Sequence, residues 1–384
     1  MESATNITSF IAGQIENSGA YEVYIPNKIN HNFTFCDNRT LKLLEEATIQ
    51  LSRLNYACCS MEFYNMFTNM HVHLEALCSN EIEGTHADIK DVLSDNLGED
   101  TNSVKIRNLY KTTHDFFNDE KLRSANIYTI NMIEKINKSL MKDVKPSKYH
   151  NGKIRTEQNF IGGDNILSAL FVPPPAKLVP ELMQDLNDFW ENEDYFIPKL
   201  IKIAIYHFQF ETIHPFMDGN GRTGRLLVAL QLRDSRLLSL PVLCLSNYWK
   251  RNRGRYYEAL TTVRYTHNLE YWVRFFLDSI INASKERLET IEKIQHLQKE
   301  YSKLIFKSFK SPVNYIEVLN RLITDTPIIK VKDVQDWLGI TYQGANKIID
   351  NLLTLGILKE ENENKRNRIF IFKEYYNLVF ESER

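Results

Sequence analysis

Cysteine is scarce and has no pairing pattern. Cys36, Cys58, Cys59, Cys78 and Cys244 make an odd set without a C-x-x-C spacing, which argues against a disulfide framework and against a structural zinc site. Long apolar runs are missing as well: no stretch approaches the roughly 18 residues that a membrane span requires, and Met1 to Gly13 lacks the basic segment and apolar core of a secretion signal. A cytoplasmic protein without a membrane partner is the expectation. Neither sign of charge dominates, since 47 Lys and Arg stand against 49 Asp and Glu, and the net charge of −2 makes no whole-chain case for nucleic acid or anionic lipid. Glycine and proline are few, 14 and 11 in 384 residues, so little interrupts the chain. With 43% hydrophobic and 25% charged residues, the composition excludes disorder as the dominant state and fits two or three domains.

What is present reads as mainly α. Apolar residues recur every three or four positions through most of the chain. Leu41, Leu44, Ala47, Leu51 and Leu54 predict a helix from Thr40 to about Ser60, and a second is predicted over about 63–83 with Gly84 as its stop. Further helices are predicted over Asn126 to Leu140, Val179 to Trp190 and Pro198 to Thr212. Tyr21, Val23 and Ile25 alternate before Pro26 and predict a short edge strand or extended arm. The Gly- and Pro-rich stretch Val144 to Pro175 is long for a structureless segment, and such segments usually carry function. Leu288, Ile291, Ile294, Leu297, Tyr301 and Leu304 form one apolar stripe on a charged helix. The expected organisation is an N-terminal helical region (1–117), a catalytic domain (118–281), a helical linker (282–310) and a C-terminal domain (311–384). In the last of these, helices Val313 to Leu322, Val331 to Leu338 and Tyr342 to Leu355, then extended runs Ile357 to Glu360 and Ile369 to Lys373, have the order of a winged helix-turn-helix.

Residues His214 to Arg225 read H-P-F-M-D-G-N-G-R-T-G-R. Pro215 cannot continue the preceding helix, and Asp218-Gly219-Asn220-Gly221 is a turn permissive of positive φ. A new helix is predicted from near Gly221, so the turn sits at a helix N-terminus, where unbonded N–H groups and the dipole suit a phosphate. Arg222 and Arg225, three apart, share a face and reach the same polyphosphate. Asp218 is an oxygen ligand suited to Mg²⁺ beside it. His214, with an ordinary pKa near 6.5, is the natural general base. Singly, each residue is ordinary: a His before Pro is usually a packing group, Asp-Gly a turn, two Arg a solvated face. Their combination within one short segment points to function.

At these residues the chain resembles the Fic family, whose signature H-x-F-x-(D/E)-G-N-G-R-x-x-R is matched at every specified position. The resemblance extends upstream through Gln209 to Ile213, to Gly152, Arg155, Gln158 to Gly163 and Phe171 to Pro175, and downstream to Tyr256-Tyr257. It implies a Fic-type helical bundle with a β-hairpin flap, and a nucleotidyltransferase that moves AMP from ATP to a Tyr, Thr or Ser hydroxyl of a protein, itself included, with release of diphosphate. By the same resemblance His214 is catalytic, Asp218 holds Mg²⁺, and Gln209, Gly219, Asn220, Gly221, Arg222, Arg225 and Tyr257 bind ATP. Phe216 anchors the loop, and Ile161, Gly162 and Gly163 belong to the flap that holds the target.

Ser79-Asn80-Glu81-Ile82-Glu83-Gly84 matches the family's inhibitory pattern (S/T)-x-x-x-E-(G/N). Ser79 and Glu83 lie on one helix face, and Glu83 paired with Arg225 would withhold the guanidinium from the γ-phosphate. In some relatives the same Glu assists AMP removal, so a hydrolytic activity stays open. His71 and His73, two apart, lack the spacing of a metal pair, and His207 reads as packing. Residues 311–384 carry 10 basic against 11 acidic residues. Lys365, Arg366 and Arg368 are their only basic cluster, which leaves DNA contact weaker than protein contact. A DNA-binding regulator with a nucleotide-sensing site is the alternative class, and an oligomer stays open.

Overall fold

The computed structural model describes residues 5–35, 37–61, 64–85, 100–145, 152–361 and 368–380. The first element is a parallel pair, β1 (Thr5–Asn6) with β4 (Phe33–Thr34), enclosing the antiparallel hairpin β2 (Gly13–Asn17) and β3 (Glu22–Pro26). The alternation of Tyr21, Val23 and Ile25 thus marks a true strand, but one half of a hairpin rather than a lone arm. Its partner β2, G-Q-I-E-N, has too little apolar alternation to announce itself.

The body is helical: α1 (Asn38–Cys59), α2 (Tyr64–Ile82), α3 (Thr101–Asn118), α4 (Ile130–Leu140), α5 (Val179–Glu191), α6 (Lys199–Ile213), α7 (Asn220–Asp234), α8 (Leu245–Arg251), α9 (Arg253–Thr266) and α10 (Leu269–Ser308). Asp37 caps α1 by accepting from the N–H groups of Arg39 and Thr40. From Leu200 to Ile213 every residue of α6 is buried, as expected of a helix with apolar residues all round. It forms the axis against which α5, α7 and α10 pack. Helix α3 has apolar residues at Ile106, Leu109, Phe116 and Phe117 and was not foreseen, because Thr, Asn and His occupy most of its other turns.

Helices pack across two of the expected domain limits. Residues 282–310 are helical down to Ser308, as expected of the linker, and belong to α10, which runs unbroken from Leu269 to Ser308, 40 residues, with its first half buried against α1 and α6. The division at 117 likewise falls at the end of α3, which packs on α2, α4 and α7. The N-terminal region therefore shares one core with the following segment.

His71 shows how α2 is held there. Its Nδ1–H donates to the Phe67 carbonyl at 2.6 Å and its Nε2 accepts from Arg287 of α10 at 3.0 Å. Burial first, and Arg287 second, push its pKa down to about 3, so it is a neutral strut between two helices, not a ligand.

Beyond α10 come α11 (Val313–Thr324), β5 (Ile328–Lys330), α12 (Val331–Leu338), α13 (Tyr342–Thr354), β6 (Lys359–Glu360), β7 (Ile369–Ile371) and α14 (Lys373–Phe380). The strands form an antiparallel sheet in the order β5-β7-β6. Strand β5 and helix α14 were not foreseen, and the extended run expected from Ile357 is a strand only at Lys359–Glu360. Both α11 and α14 touch α2 as well as α10. Arg368 is committed: it grips Glu360 with Nε and Nη2 at 2.7 and 2.9 Å, lies 3.5 Å from Asp350 and sits over the Phe370 ring. Lys365 and Arg366 lie outside the described residues, as do Cys36 and the first residue expected of the second helix, Phe63. No helix among the described residues is long and apolar enough to cross a membrane.

Candidate active site

Helix α6 ends at His214, which adopts φ 51° and ψ 62° and closes the helix by donating its N–H to the Phe210 carbonyl at 2.9 Å. A non-glycine residue in this region costs about 1–3 kcal/mol and must be held there by its surroundings. The surroundings are visible. The His214 carbonyl accepts from Arg155 Nε at 2.9 Å and from Asn159 Nδ2 at 3.3 Å. Arg155 also donates to the carbonyls of Glu157, Pro174 and Ile213, and its own N–H bonds the Pro215 carbonyl. One buried guanidinium thus ties both sides of the flap base to the catalytic loop. Arg155→Ala orphans several buried carbonyls, each worth about 1–3 kcal/mol. The expected result is a lower melting temperature, which a thermal melt checks.

The rest of the loop folds around its own side chains. Asn220 accepts from the Phe216 N–H and donates back to the Phe216 carbonyl, both at 2.8 Å, and is 2% exposed. Its side chain therefore organises the loop rather than reaching outward to a phosphate. Phe216 is buried, as an anchor should be. Gly219 takes φ 82° as N-cap of α7, and no side chain caps that helix start. Asn137 of α4 donates to the Asp218 carbonyl at 3.0 Å and to Thr223 Oγ1 at 3.2 Å; sequence reasoning missed it, since nothing in a lone Asn of an amphipathic helix signals this role. Gln209 does not face the loop with its amide: Nε2 donates to the Asn27 carbonyl and ties α6 to the N-terminal hairpin.

Above the uncapped start of α7 lie two arginines and a carboxylate. Arg222 is 2% exposed, and donates Nη2 to Met141 Sδ and to Asp218 Oδ1 at 3.3 Å. Its Nε and Nη1 have no hydrogen-bond partner among the described residues. A buried guanidinium in that condition is costly unless an anion joins it. Asp218 Oδ1 also accepts from the Gly219 N–H, and the side chain is 45% exposed. One half-exposed carboxylate suits a hard cation that takes its other ligands from phosphate and water.

Arg225 is fully engaged. Its Nε donates to Ser79 Oγ, and its Nη2 to the Ser79 carbonyl and to Glu83 Oε1, each at 2.8 Å. Helix α2 stops at Ile82, and Gly84 takes φ 82°, so Glu83 projects from the terminal turn over α7. There a Cβ added at Gly221 would stand 2.3 Å from Glu83 Oε1 and 2.8 Å from Arg225 Nη1. The carboxylate thus rests on the first turn of α7, where the dipole favours an anion. This second source of stabilisation is not legible in the inhibitory hexapeptide itself. Burial pushes the Glu83 carboxyl up, yet Arg225, Arg222 and His214 outweigh it and hold its pKa below the ordinary value. Helix α8 keeps α2 in place through Glu75 to Ser246 and Glu81 to Lys250, the latter at 2.9 Å.

Residues 127–232 match the family model described as Fic/DOC family, and residues 41–115 match the one described as Fic/DOC family N-terminal. Over those residues the chain is similar to the Fic family. Among proteins similar to it are a probable protein adenylyltransferase of Aquifex aeolicus (strain VF5), 40% identical over 95 residues, and protein adenylyltransferase fic-1 of Caenorhabditis elegans, 35% identical over 112 residues. These alignments take in 25% and 28% of this chain, and span only 27% and 19% of the relatives' own lengths. The crystal structure of a Fic family protein from Desulfovibrio desulfuricans G20 superimposes with a TM-score of 0.58 at 19% identity, over 88% of this chain and 97% of that one. At that identity the likeness concerns the fold.

Next to the loop from His214 to Arg225, the flap is a nine-residue loop, with a short 3-10 turn at Ile166–Ser168, closed by a single bridge rather than by paired strands. Ile161 and Phe171 exchange backbone hydrogen bonds at 2.8 and 3.1 Å as an isolated antiparallel bridge. Gly162 and Gly163 take φ of 70° and 76°, and a Cβ on Gly163 would lie 2.2 Å from the Ser168 carbonyl oxygen. Tyr257 is 37% exposed beside Arg253, and its phenol is raised by burial first and second by Glu83, the carboxylate of the latch that holds Arg225. Tyr256 and His207 are core: they hydrogen-bond at 3.0 Å within a cluster with Trp249 and Trp272.

Burial lowers His214 to about 4 and His207 to about 3, the same effect as at His71. As pH falls below about 6.5, the ordinary value, the unfolded chain binds protons at all three and the folded chain does not, so stability is lost. Glu211, raised to about 7 by burial, works the other way over part of the same range. The net of roughly two protons predicts a loss of about 2–3 kcal/mol per pH unit near pH 5.5. Thermal melts from pH 7 to pH 5 should show a steep fall.

Proposed function

We propose that this chain is a protein adenylyltransferase, transferring AMP from ATP to a Tyr, Thr or Ser hydroxyl of a protein, with Glu83 as its built-in inhibitor. The observation that carries this reading is the position of Arg225: held by Ser79 and Glu83 above an uncapped helix start, with a neutral His214 within the electrostatic reach of Glu83. In the reaction, the target oxygen attacks the α-phosphorus of ATP and its proton passes to His214. The bond from the α-phosphorus to the bridging oxygen breaks, and diphosphate leaves. The start of α7, Gly221 and Arg222 hold phosphate oxygens. Arg225, once released by Glu83, takes the γ-phosphate. Asp218 would hold Mg²⁺, which neutralises charge building on the leaving diphosphate.

The decisive experiment is mass spectrometry of cell-lysate proteins incubated with ATP and the Glu83→Gly protein. AMP adducts are expected, and they should vanish when His214→Ala is added. Adducts that persist in the double variant would refute the assignment of the base.

The C-terminal unit has the helix, strand, helix, helix and hairpin order of a winged helix, and we read it as one that contacts protein. Arg368, the described member of its basic cluster, is spent on Glu360 and Asp350. Lys347 and Asp350 oppose each other in charge on the exposed side of α13. Retardation of DNA fragments by the full chain at physiological salt is not expected.

A further inference from the structure

Beyond Arg155, Arg222 and Arg225, a fourth arginine stands near the loop. Arg264 of α9 is 8% exposed and stacks 3.6 Å from the centre of the Phe171 ring, at the base of the flap. It makes no hydrogen bond and no ion pair with any described residue, and its Nε is sealed without a partner. A guanidinium buried in that state is unfavourable unless an anion arrives to pair with it. Tyr24 of β3 repeats the pattern. It is 4% exposed, its hydroxyl has no partner, and its ring lies 5.9 Å from Phe171. Both residues line one cavity of about 310 Å³ between the N-terminal hairpin and the flap, with Leu167, Leu170 and Tyr265 at its mouth. Those three are 70%, 82% and 65% exposed, an apolar rim around a polar floor. Glu22 is the other charged residue of the lining.

The cavity lies on the target side. Its wall is the flap and its neighbour is the N-terminal hairpin, which bonds the flap base through Tyr24 N–H to the Val172 carbonyl at 3.0 Å. None of Arg222, Arg225 and Asp218 lines it. The charge of Arg264 nevertheless reaches the imidazole of His214, whose pKa it helps to depress. A chain that presents its hydroxyl to His214 along the flap would therefore lay a neighbouring side chain over this cavity.

We propose that Arg264 and Tyr24 form a selectivity subsite for a carboxylate side chain that flanks the modified hydroxyl of the target protein. The proposal rests on the transferase reading above and adds to it the chemical class of the target. Arg264 supplies charge-paired donors to the carboxylate and Tyr24 a hydroxyl donor, while the exposed leucines cover the stem of the acidic residue. No bond is made or broken in this subsite.

The test uses the full-length Glu83→Gly protein, labelled ATP and a target protein taken from the lysate labelling. The Asp and Glu residues within four positions of the modified hydroxyl are changed one at a time to Asn or Gln. One such change is expected to lower kcat/KM by on the order of tenfold or more, as for loss of a charge-assisted hydrogen bond. With Arg264→Gln added to the enzyme, the acid-to-amide ratio should fall to about one. Arg264→Lys should keep part of it, and Arg264→Glu should reverse it for a target carrying Lys in that place. The ratio is taken within one enzyme, so a change in folded fraction or in His214 does not move it. A target with no flanking carboxylate, or a ratio undiminished in Arg264→Gln, overturns the subsite and leaves the transferase reading standing. If the Glu83→Gly protein labels no protein at all, the transferase reading fails and takes the subsite with it.

Discussion

Glu83→Gly is expected to raise the rate of AMP incorporation by on the order of a hundredfold, because it frees a buried guanidinium and a helix start together. The carboxylate does two things at once in the resting molecule. It neutralises Arg225 at 2.8 Å and it sits on the first turn of α7, over Gly221. Its removal clears both the guanidinium and the helix start that the phosphates need. Ser79→Ala should do much less, because Arg225 keeps its bond to the Ser79 carbonyl and its pair with Glu83. Adding Arg225→Ala to Glu83→Gly should return the rate to near the resting level, since the group set free is itself lost. Initial rates with α-labelled ATP distinguish these outcomes, and an unchanged rate in Glu83→Gly would rule out the latch.

His214→Ala in the Glu83→Gly background is expected to lower kcat by roughly 1,000-fold, within the usual range for loss of a general base. The KM for ATP should move little, because the anion-binding groups lie on α7 and not on His214. The resting imidazole is neutral at pH 7, its pKa being pushed to about 4, chiefly by burial, with Arg155 and Arg264 adding to the effect. A base held neutral in this way stays able to accept a proton well below pH 6.5, so the acid limb of the kcat profile should lie below that value. Retention of kcat in His214→Ala would sink the assignment.

Most of the geometry of the loop from His214 to Arg225 was legible in the sequence because it is local. His214, Asp218, Gly219, Arg222 and Arg225 fall in one turn and one helix start, where spacing alone decides who faces whom. The same locality made Ser79 and Glu83 readable as a pair on one face. What decides whether that pair matters is a contact across about 140 residues of chain, 146 to Ser79 and 142 to Glu83, which only the fold provides. The roles of Arg155 and Asn137 were beyond reach for a similar reason: their partners are mostly backbone carbonyls, and a carbonyl leaves no mark on a sequence. Gln209 and Asn220 were assigned to ATP by resemblance, yet their side chains bond Asn27 and Phe216. Amides in such a motif serve loop geometry as readily as ligand contact. In the fold, α3 and β2 were missed where polar residues dilute the periodicity.

That unbroken α10 has a mechanical consequence. Forty residues of helix span about 60 Å, and a helix with no Gly or Pro within it transmits position rather than absorbing it. Anything gripped by the C-terminal unit is therefore delivered at a set distance and bearing from the Fic loop. The contacts of α11 and α14 with α2 close the circuit, so that a push on the far unit arrives at the same helix that carries Glu83. Inserting one residue in the second half of α10 would turn the unit by about 100° and take both properties away together.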